Sequence, residues 1–394
     1  MISVDEALSR LFSLCTPLPS EIIPLRNAAG RVLAAPVVAG LDQPPFAASA
    51  MDGYAIRETD HRAETRLRVI GEAAAGSGYP GEVRAGEAVR IFTGAPVPKG
   101  ADWVVLQEDV TRKDSFITLG DRLEHGSNIR GAGQDFKSGD RIEAPRRLAP
   151  ADLALIAAMN VPEVTVTRRP VVALIATGNE LVMPGEEPGP DQIIASNSFA
   201  LAAMAESAGA EVRMLPIARD TEASLGFTLD LARDADLIVT IGGASVGDHD
   251  LVGKVTEGMG MERSFYKIAM RPGKPLMAGR LGTSVLLGLP GNPVSSVVCG
   301  HIFMLPMLRA MQGLGAEPAV TRSGNLAAPV EANGPRAHYM RAKTEHRDGA
   351  VLLHPFDRQD SALLTVLAEA NALLIRPVGD AARATGAAVE YIPL

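Results

Sequence analysis

Two rhythms of apolar and polar positions alternate along the chain. Ala7, Leu8, Leu11 and Phe12 recur at helical spacing behind a Ser3 and Glu6 capping-box pattern, which predicts an amphipathic N-terminal helix. Short β-like runs at 67–70, 88–92, 103–107 and 116–119 follow, separated by Gly and Pro clusters, and predict a small β-rich unit. Helical spacing returns at 150–159. This helix and the N-terminal one are expected to pack together, because they bracket the β insertion.

The pattern changes after residue 168. Continuous apolar runs at 171–176, 212–217 and 236–241 alternate with helical stretches at 198–208 and 222–233. Strands of this kind, alternating with helices, predict an α/β region with a parallel sheet covered on both faces. A further strand at 284–288 runs into Leu289-Pro290-Gly291-Asn292-Pro293-Val294-Ser295, and an apolar helix is expected over 297–311. Short strands with one helical insertion near 361–371 predict a second β unit at the end. The expected division is 1–45 with 140–168, a β-rich insertion at 46–139, an α/β domain at 169–318 and a C-terminal β domain at 319–394. The fold class is therefore multidomain, α/β plus β.

Open α/β sheets bind ligands beyond the carboxyl ends of their strands. There the chain places Thr177-Gly178-Asn179-Glu180, then Arg219-Asp220, then Gly242 to Asp250, then the 289–295 segment. In the last of these, Asn292 suits a helix cap and Pro293 the first turn, while Gly291 admits close backbone approach. A helix N-terminus here would attract an anion. Four carboxylates (Glu180, Asp220, Asp248 and Asp250) converge on one rim, and crowded carboxylates repel unless a cation joins them. Mg²⁺, held by one or two carboxylates and substrate phosphates, fits that rim. Asn197, expected as a helix cap, is placed to address a phosphate. Lys267, Arg271 and Lys274 are dense enough to clamp an oxyanion.

Gly243-Ala244-Ser245-Val246-Gly247 also matches the nucleophile elbow of hydrolases, with Ser245 as nucleophile. Against it, Asp248-His249-Asp250 is a poor opening for the buried helix that an elbow requires. A hydrolase of a nucleotide pyrophosphate stays open as an alternative.

Composition narrows the field. The 394 residues are 46% hydrophobic and 21% charged, with net charge −8, which suits packed domains and argues against general nucleic-acid binding. Two cysteines, Cys15 and Cys299, both in apolar surroundings, exclude a disulfide framework and a cysteine metal site. The acidic N-terminus does not read as a secretory signal, and 297–311 is too interrupted to span a membrane. The expectation is a cytoplasmic protein with no membrane partner.

Several segments occur together in a fixed order: Ser49-Ala50-Met51-Asp52-Gly53-Tyr54-Ala55, Thr93-Gly94-Ala95-Pro96-Val97-Pro98, Thr177 to Leu181, Gly242 to Gly247, Pro272-Gly273-Lys274-Pro275 and Leu289 to Ser295. Over nearly its whole length the chain resembles the molybdopterin molybdenumtransferases, the MoeA proteins, a type also found as the E domain of gephyrin. The resemblance implies an elongated homodimer of four-domain subunits, with the active site between the α/β domain of one subunit and the β domain of the other. It implies Mg²⁺-dependent insertion of molybdate into adenylated molybdopterin with release of AMP. The upstream molybdopterin adenylyltransferase and recipient molybdoenzymes are implied partners; a gephyrin-like scaffold is the other alternative.

Carried over residue by residue, Asp52 and Thr93 match positions supplied by the partner subunit, and Arg130 and Asp135 sit in the matching loop. Glu180, Asp220 and Asp250 match the acidic, Mg²⁺-holding rim. Lys267 and Lys274 match basic residues near the oxyanion, with Arg271 where many members carry Lys. Pro290 and Pro293 lie in the matching turn, where Gly291 and Asn292 face the pterin adenylate; Ser245 falls in the matching glycine loop. Arg341 and Ser361 match C-terminal positions. The chain departs from the pattern at Ala47-Ala48, where many members have Asp-Asn, and at Asn179, where Asp is frequent.

Overall fold

The computed structural model describes residues 1–123, 125–243 and 251–394. At its centre is a six-stranded sheet. In spatial order its strands are Glu211–Met214, Val171–Ala176, Leu237–Ile241, Ser284–Leu289, Met277–Leu281 and Glu262–Tyr266. The first four run parallel, so their carboxyl ends share one edge. The last two are added through antiparallel pairings, Met277–Leu281 onto Ser284–Leu289 and Glu262–Tyr266 onto Met277–Leu281. Every residue of Leu237–Ile241 and Ser284–Leu289 is buried, as a strand covered on both faces requires.

Helices Asn197–Ser207 and Pro293–Cys299 cover one face of this sheet, and Glu222–Leu231 and Leu251–Gly258 the other. The helix that begins at Pro293 continues through a π segment, Gly300–Met304, to Met311. The π segment lies just ahead of Pro306, whose ring nitrogen has no hydrogen to donate. Among the described residues this is the one helix long and apolar enough to cross a membrane, and 83% of its apolar window is buried inside the protein, as for a core helix.

The N-terminal helix, Val4–Leu14, departs from expectation. Ser3 caps it as the sequence predicts, accepting from the Glu6 N–H at 3.1 Å. Its apolar stripe of Val4, Ala7, Leu8 and Leu11 packs into the α/β core beside Ala278 and Leu308. Helix Pro150–Ala158 instead puts Ile156 into a separate cluster with Leu33, Ile142 and Val166. The two helices therefore do not pair. Amphipathic periodicity identifies the buried face but not the surface that covers it.

The β insertion holds a six-stranded sheet running Trp103–Leu106, Gly53–Ile56, Glu87–Ile91, Arg66–Ala73, Phe116–Leu119 and Val110–Lys113. At the C-terminal end, Ala337–Arg347, Ala350–Pro355, Arg322–Leu326, Ala388–Pro393 and Ala372–Arg376 follow one another. The last pairs back onto the first, closing a five-stranded barrel. Met270–Arg271 joins this barrel alongside His338, and so ties it to the α/β sheet. Helix Leu364–Glu369 is the expected insertion.

Candidate functional site

The loops at the carboxyl edge of the parallel strands are shaped by short backbone contacts. Gly242 follows strand Leu237–Ile241 at φ +90° and donates its N–H to Leu289 O at 3.0 Å. A Cβ on Gly243 would lie 2.6 Å from Val252 Cγ2 and 2.8 Å from Thr177 Oγ1, so only glycine fits. The close approach at Gly291 is to Gly242, one backbone against another.

These loops open into a cavity of about 1230 Å³. Glu180 and Asp220 line it on the α/β side, and Arg271, Lys274 and Arg336 line it as well. Asn197, Pro290, Gly291, Asn292, Pro293 and Ser361 complete the expected residues found there. The cleft thus sets three carboxylates, Glu180 and Asp220 on the α/β side and Asp360 on the barrel side, and three cations around one volume, while glycines and prolines form its wall.

On the α/β side, Asp220 is held by its own hydrogen bonds and Glu180 through the loop that carries it. Asp220 Oδ2 accepts the Asn179 N–H at 3.1 Å, and Asn179 Oδ1 accepts the Asp220 N–H at the same distance. Arg219 Nη1 donates to the carbonyls of Gly178, Asn179 and Leu181 at 3.4, 3.2 and 2.9 Å. One guanidinium therefore braces the loop that carries Glu180. Sequence reasoning passed over Arg219; the signal it offered was a cation directly beside a rim carboxylate.

The 290–293 turn is less bare than its sequence suggests. Asn292 occupies the cap position with no side-chain cap bond. Its amide reaches across to Ser361 Oγ at 3.2 Å. Pro293 has no N–H, and the Val294 N–H donates to Ser361 O at 3.1 Å. The barrel's 358–362 loop thus takes part of the donor capacity expected for an anion. Asn197 lies in the first turn of its helix, with Ser196 at the cap. Its amide donates to Gly291 O at 2.7 Å, so it fixes the turn.

Arg341 and Lys267 lie off the cavity. Arg341 is fully buried and donates through Nη2 to Asp360 O at 2.9 Å, supporting the loop that presents Ser361. Gln359 clasps the Arg341 backbone in both directions at 3.0 Å. Burial pushes the Arg341 guanidinium below its ordinary range, partly offset by Asp360. Lys267 is half-buried with its Nζ 4.6 Å from the Tyr266 ring centroid. Arg336, which precedes the long barrel strand, is the cleft cation that sequence reasoning missed. Ser245, Asp248, His249 and Asp250 lie outside the described residues.

Asp52, Thr93, Arg130 and Asp135 are all exposed on the β insertion, and none lines this cavity. They share one region of the surface. Ala48–Ser49 pairs with Ile129–Arg130, Ser49 bonds to Ala95, and the Asp135 N–H donates to Gln43 O. Asp52 Oδ1 accepts both the Thr93 N–H and the Thr93 hydroxyl at 2.8 Å. Those two bonds hold the Asp52 carboxyl below the usual range, so it stays ionised.

A resident cation fits what is described of the rim only in part. Among the described residues no group of three or more His, Cys, Asp or Glu side chains is placed to hold a metal. Two carboxylates, with one Asp220 oxygen already bonded to backbone, suit a hard ion that takes its remaining oxygens from substrate and water.

The chain matches three family descriptions in sequence: the MoeA N-terminal region (domain I and II) over residues 2–160, a probable molybdopterin binding domain over 173–310, and the MoeA C-terminal region (domain IV) over 322–394. It is 35% identical to a molybdopterin molybdenumtransferase of Nostoc sp., across all of this chain and 94% of that protein. It is 36% identical to molybdopterin molybdenumtransferase 2 of Mycobacterium tuberculosis, across 96% of each. The crystal structure of a molybdopterin biosynthesis MoeA protein from Pyrococcus horikoshii OT3 superimposes with a TM-score of 0.84 at 28% identity, covering all of both chains.

Proposed function

We propose a reaction for this cleft on one premise: the chain belongs to the MoeA family and is a molybdenum cofactor biosynthesis enzyme of the molybdate-inserting type. The substrates are adenylated molybdopterin and molybdate, and AMP is the leaving product. One observation carries this reading: Glu180 and Asp220 share a single cavity with Arg271, Lys274 and Arg336.

Molybdate is a tetrahedral dianion that needs cations and N–H donors, which Arg271, Lys274 and Arg336 supply. The pyrophosphate-like link of the adenylate lies along the glycine wall, where Gly242 and Gly243 let it approach the backbone. Glu180 and Asp220 hold Mg²⁺, with Asp250 as a further candidate. Bound there, Mg²⁺ supplies charge neutralisation of the link's oxygens. The chain needs no nucleophile of its own, because molybdate oxygen or water attacks and the side chains position the reactants.

The exposed Asp52–Thr93 pair, with Arg130 and Asp135, meets the cleft of a second copy, so that a homodimer builds each site. The upstream adenylyltransferase delivers the substrate and molybdoenzymes receive the product. The test is AMP release from adenylated molybdopterin, with Mg²⁺ and molybdate omitted in turn. Release should need both. Release that ignores molybdate would favour a pyrophosphate hydrolase.

A further inference from the structure

A second chamber of about 610 Å³ opens behind Arg271. It shares Arg271, Gln359 and Asp360 with the cleft, so a single wall separates the two. Across three neighbouring strands of the barrel region, three side chains stand in register: Arg271 opposite His338, and His338 opposite Arg376. Directly paired residues project to the same face of a sheet with Cβ atoms about 5 Å apart. Two guanidinium groups therefore flank one imidazole, and all three residues line the chamber.

His338 is only 7% exposed, and its Nε2 is buried with no hydrogen-bond partner among the described residues. A buried ring nitrogen left unpaired is costly, and so calls for a ligand atom. The charges that shift the ring most are positive: Arg271 from one neighbouring strand, Arg376 from the other, and Arg336 and Arg341 from its own end of the barrel. Burial first, then these arginines, draw the imidazole down to about 4, so it is neutral at neutral pH. Glu331, Asp357 and Asp360 also line the chamber, but the Asp360 carboxylate is turned to the Ala362 N–H at 2.8 Å. Arg376 is engaged by Asp380 and Ala381 O. The Arg271 side chain has no hydrogen bond or ion pair among the described residues, while its backbone belongs to the ladder with the barrel strand.

We propose that the row Arg271–His338–Arg376 is an oxyanion station, which holds a tetrahedral dianion between Arg271 and His338 Nε2 one wall away from the cleft. That the dianion is molybdate rests on the reading of the cleft given above; the station itself rests on the register and the unpaired nitrogen. Arg271 faces both chambers and is the hand-over group. A bound dianion favours the protonated imidazole, so binding strengthens as pH falls and His338 takes up a proton.

The test uses the full chain labelled with ¹⁵N, with the His338 ring signals assigned through His338→Gln. Molybdate and inorganic phosphate are titrated separately between pH 6 and 8. Molybdate should shift the His338 signals saturably and raise the ring's apparent pKa. By calorimetry, His338→Gln should weaken one of two molybdate-binding events about tenfold and leave the other in place. A His338 signal that stays still at molybdate concentrations saturating the cleft would overturn the station. A stronger response to phosphate than to molybdate would overturn its assignment to molybdate. An intact His338 response with molybdate-independent AMP release would sink the reading of the cleft and spare the station.

Discussion

Asn179 and Asp220 clasp each other across two loops, each side-chain oxygen accepting the other's backbone N–H at 3.1 Å. Asn179 stands where the family resemblance leads to the expectation of Asp, and the structure shows what the amide supplies. Its Oδ1 supplies the acceptor that a carboxylate would, without adding charge beside Glu180 and Asp220. Asn179→Asp should therefore keep the loop and tighten Mg²⁺ by about tenfold, since a third carboxylate adds attraction for the ion. Asn179→Ala should lose the clasp and slow AMP release. A Mg²⁺ titration of AMP release reads both effects; unchanged Mg²⁺ dependence in Asn179→Asp would remove this rim from the metal's surroundings.

Arg219 bonds three carbonyls of the 178–181 loop with one nitrogen. Arg219→Met should leave the fold within about 1 kcal/mol of wild type, because the group is exposed. It should lower kcat with little change in KM if the brace positions Glu180 during the reaction. Equal loss in both constants would make Arg219 a substrate contact.

Gly273 has φ +112°, and a Cβ there would sit 2.5 Å from the buried Cys299 Sγ. Gly273→Ala should cost about 2–4 kcal/mol, from backbone strain and overpacking together. Gly226 is the internal control: it lies inside helix Glu222–Leu231 with nothing within 4 Å of its Cβ position. Gly226→Ala should stabilise by about 0.5–1 kcal/mol. Urea unfolding measures both. The first substitution should also loosen the turn that carries Arg271 and Lys274.

His301 lies in the core helix, and burial pulls its imidazole from 6.5 to about 4, as burial and the arginines do for His338. Both rings are neutral in the folded chain and titrate nearer 6.5 when unfolded. Between those values the unfolded chain binds more protons, so stability is full above pH 6.5 and declines as pH falls toward 4. Thermal melts over that window should show the decline, and His301→Gln should flatten part of it. An unaltered acid limb in His301→Gln would place that ring in contact with solvent.

Much of the fold could be read from local pattern. The strands at 171–176 and 237–241 and the helices at 150–158 and 222–231 announce themselves because burial on one or both faces dictates residue type. The partner of a buried face is not encoded locally, which is why helix Val4–Leu14 docks on the α/β core and away from Pro150–Ala158. The same limit applies to the site. Glu180, Asp220 and the 290–293 turn follow from strand ends. Arg336 and Gln359 reach the cleft only through barrel closure, a long-range event without a sequence periodicity. Asn292 and Asn197 show the reverse case: good anion-binding residues by type, already bonded to Ser361 and Gly291 by tertiary contact.

The central claim is one catalytic centre made from two copies of the chain: the cleft with Glu180 from one, and the Asp52–Thr93 loop from the other. Mixing two inactive variants, Glu180→Ala and Asp52→Ala, under conditions that exchange subunits tests it directly. Random pairing gives half mixed dimers, each with one intact site, so AMP release should return to roughly a quarter of the wild-type rate. A mixture as inactive as its components would contradict the shared site, and full activity in either variant alone would remove that residue from it.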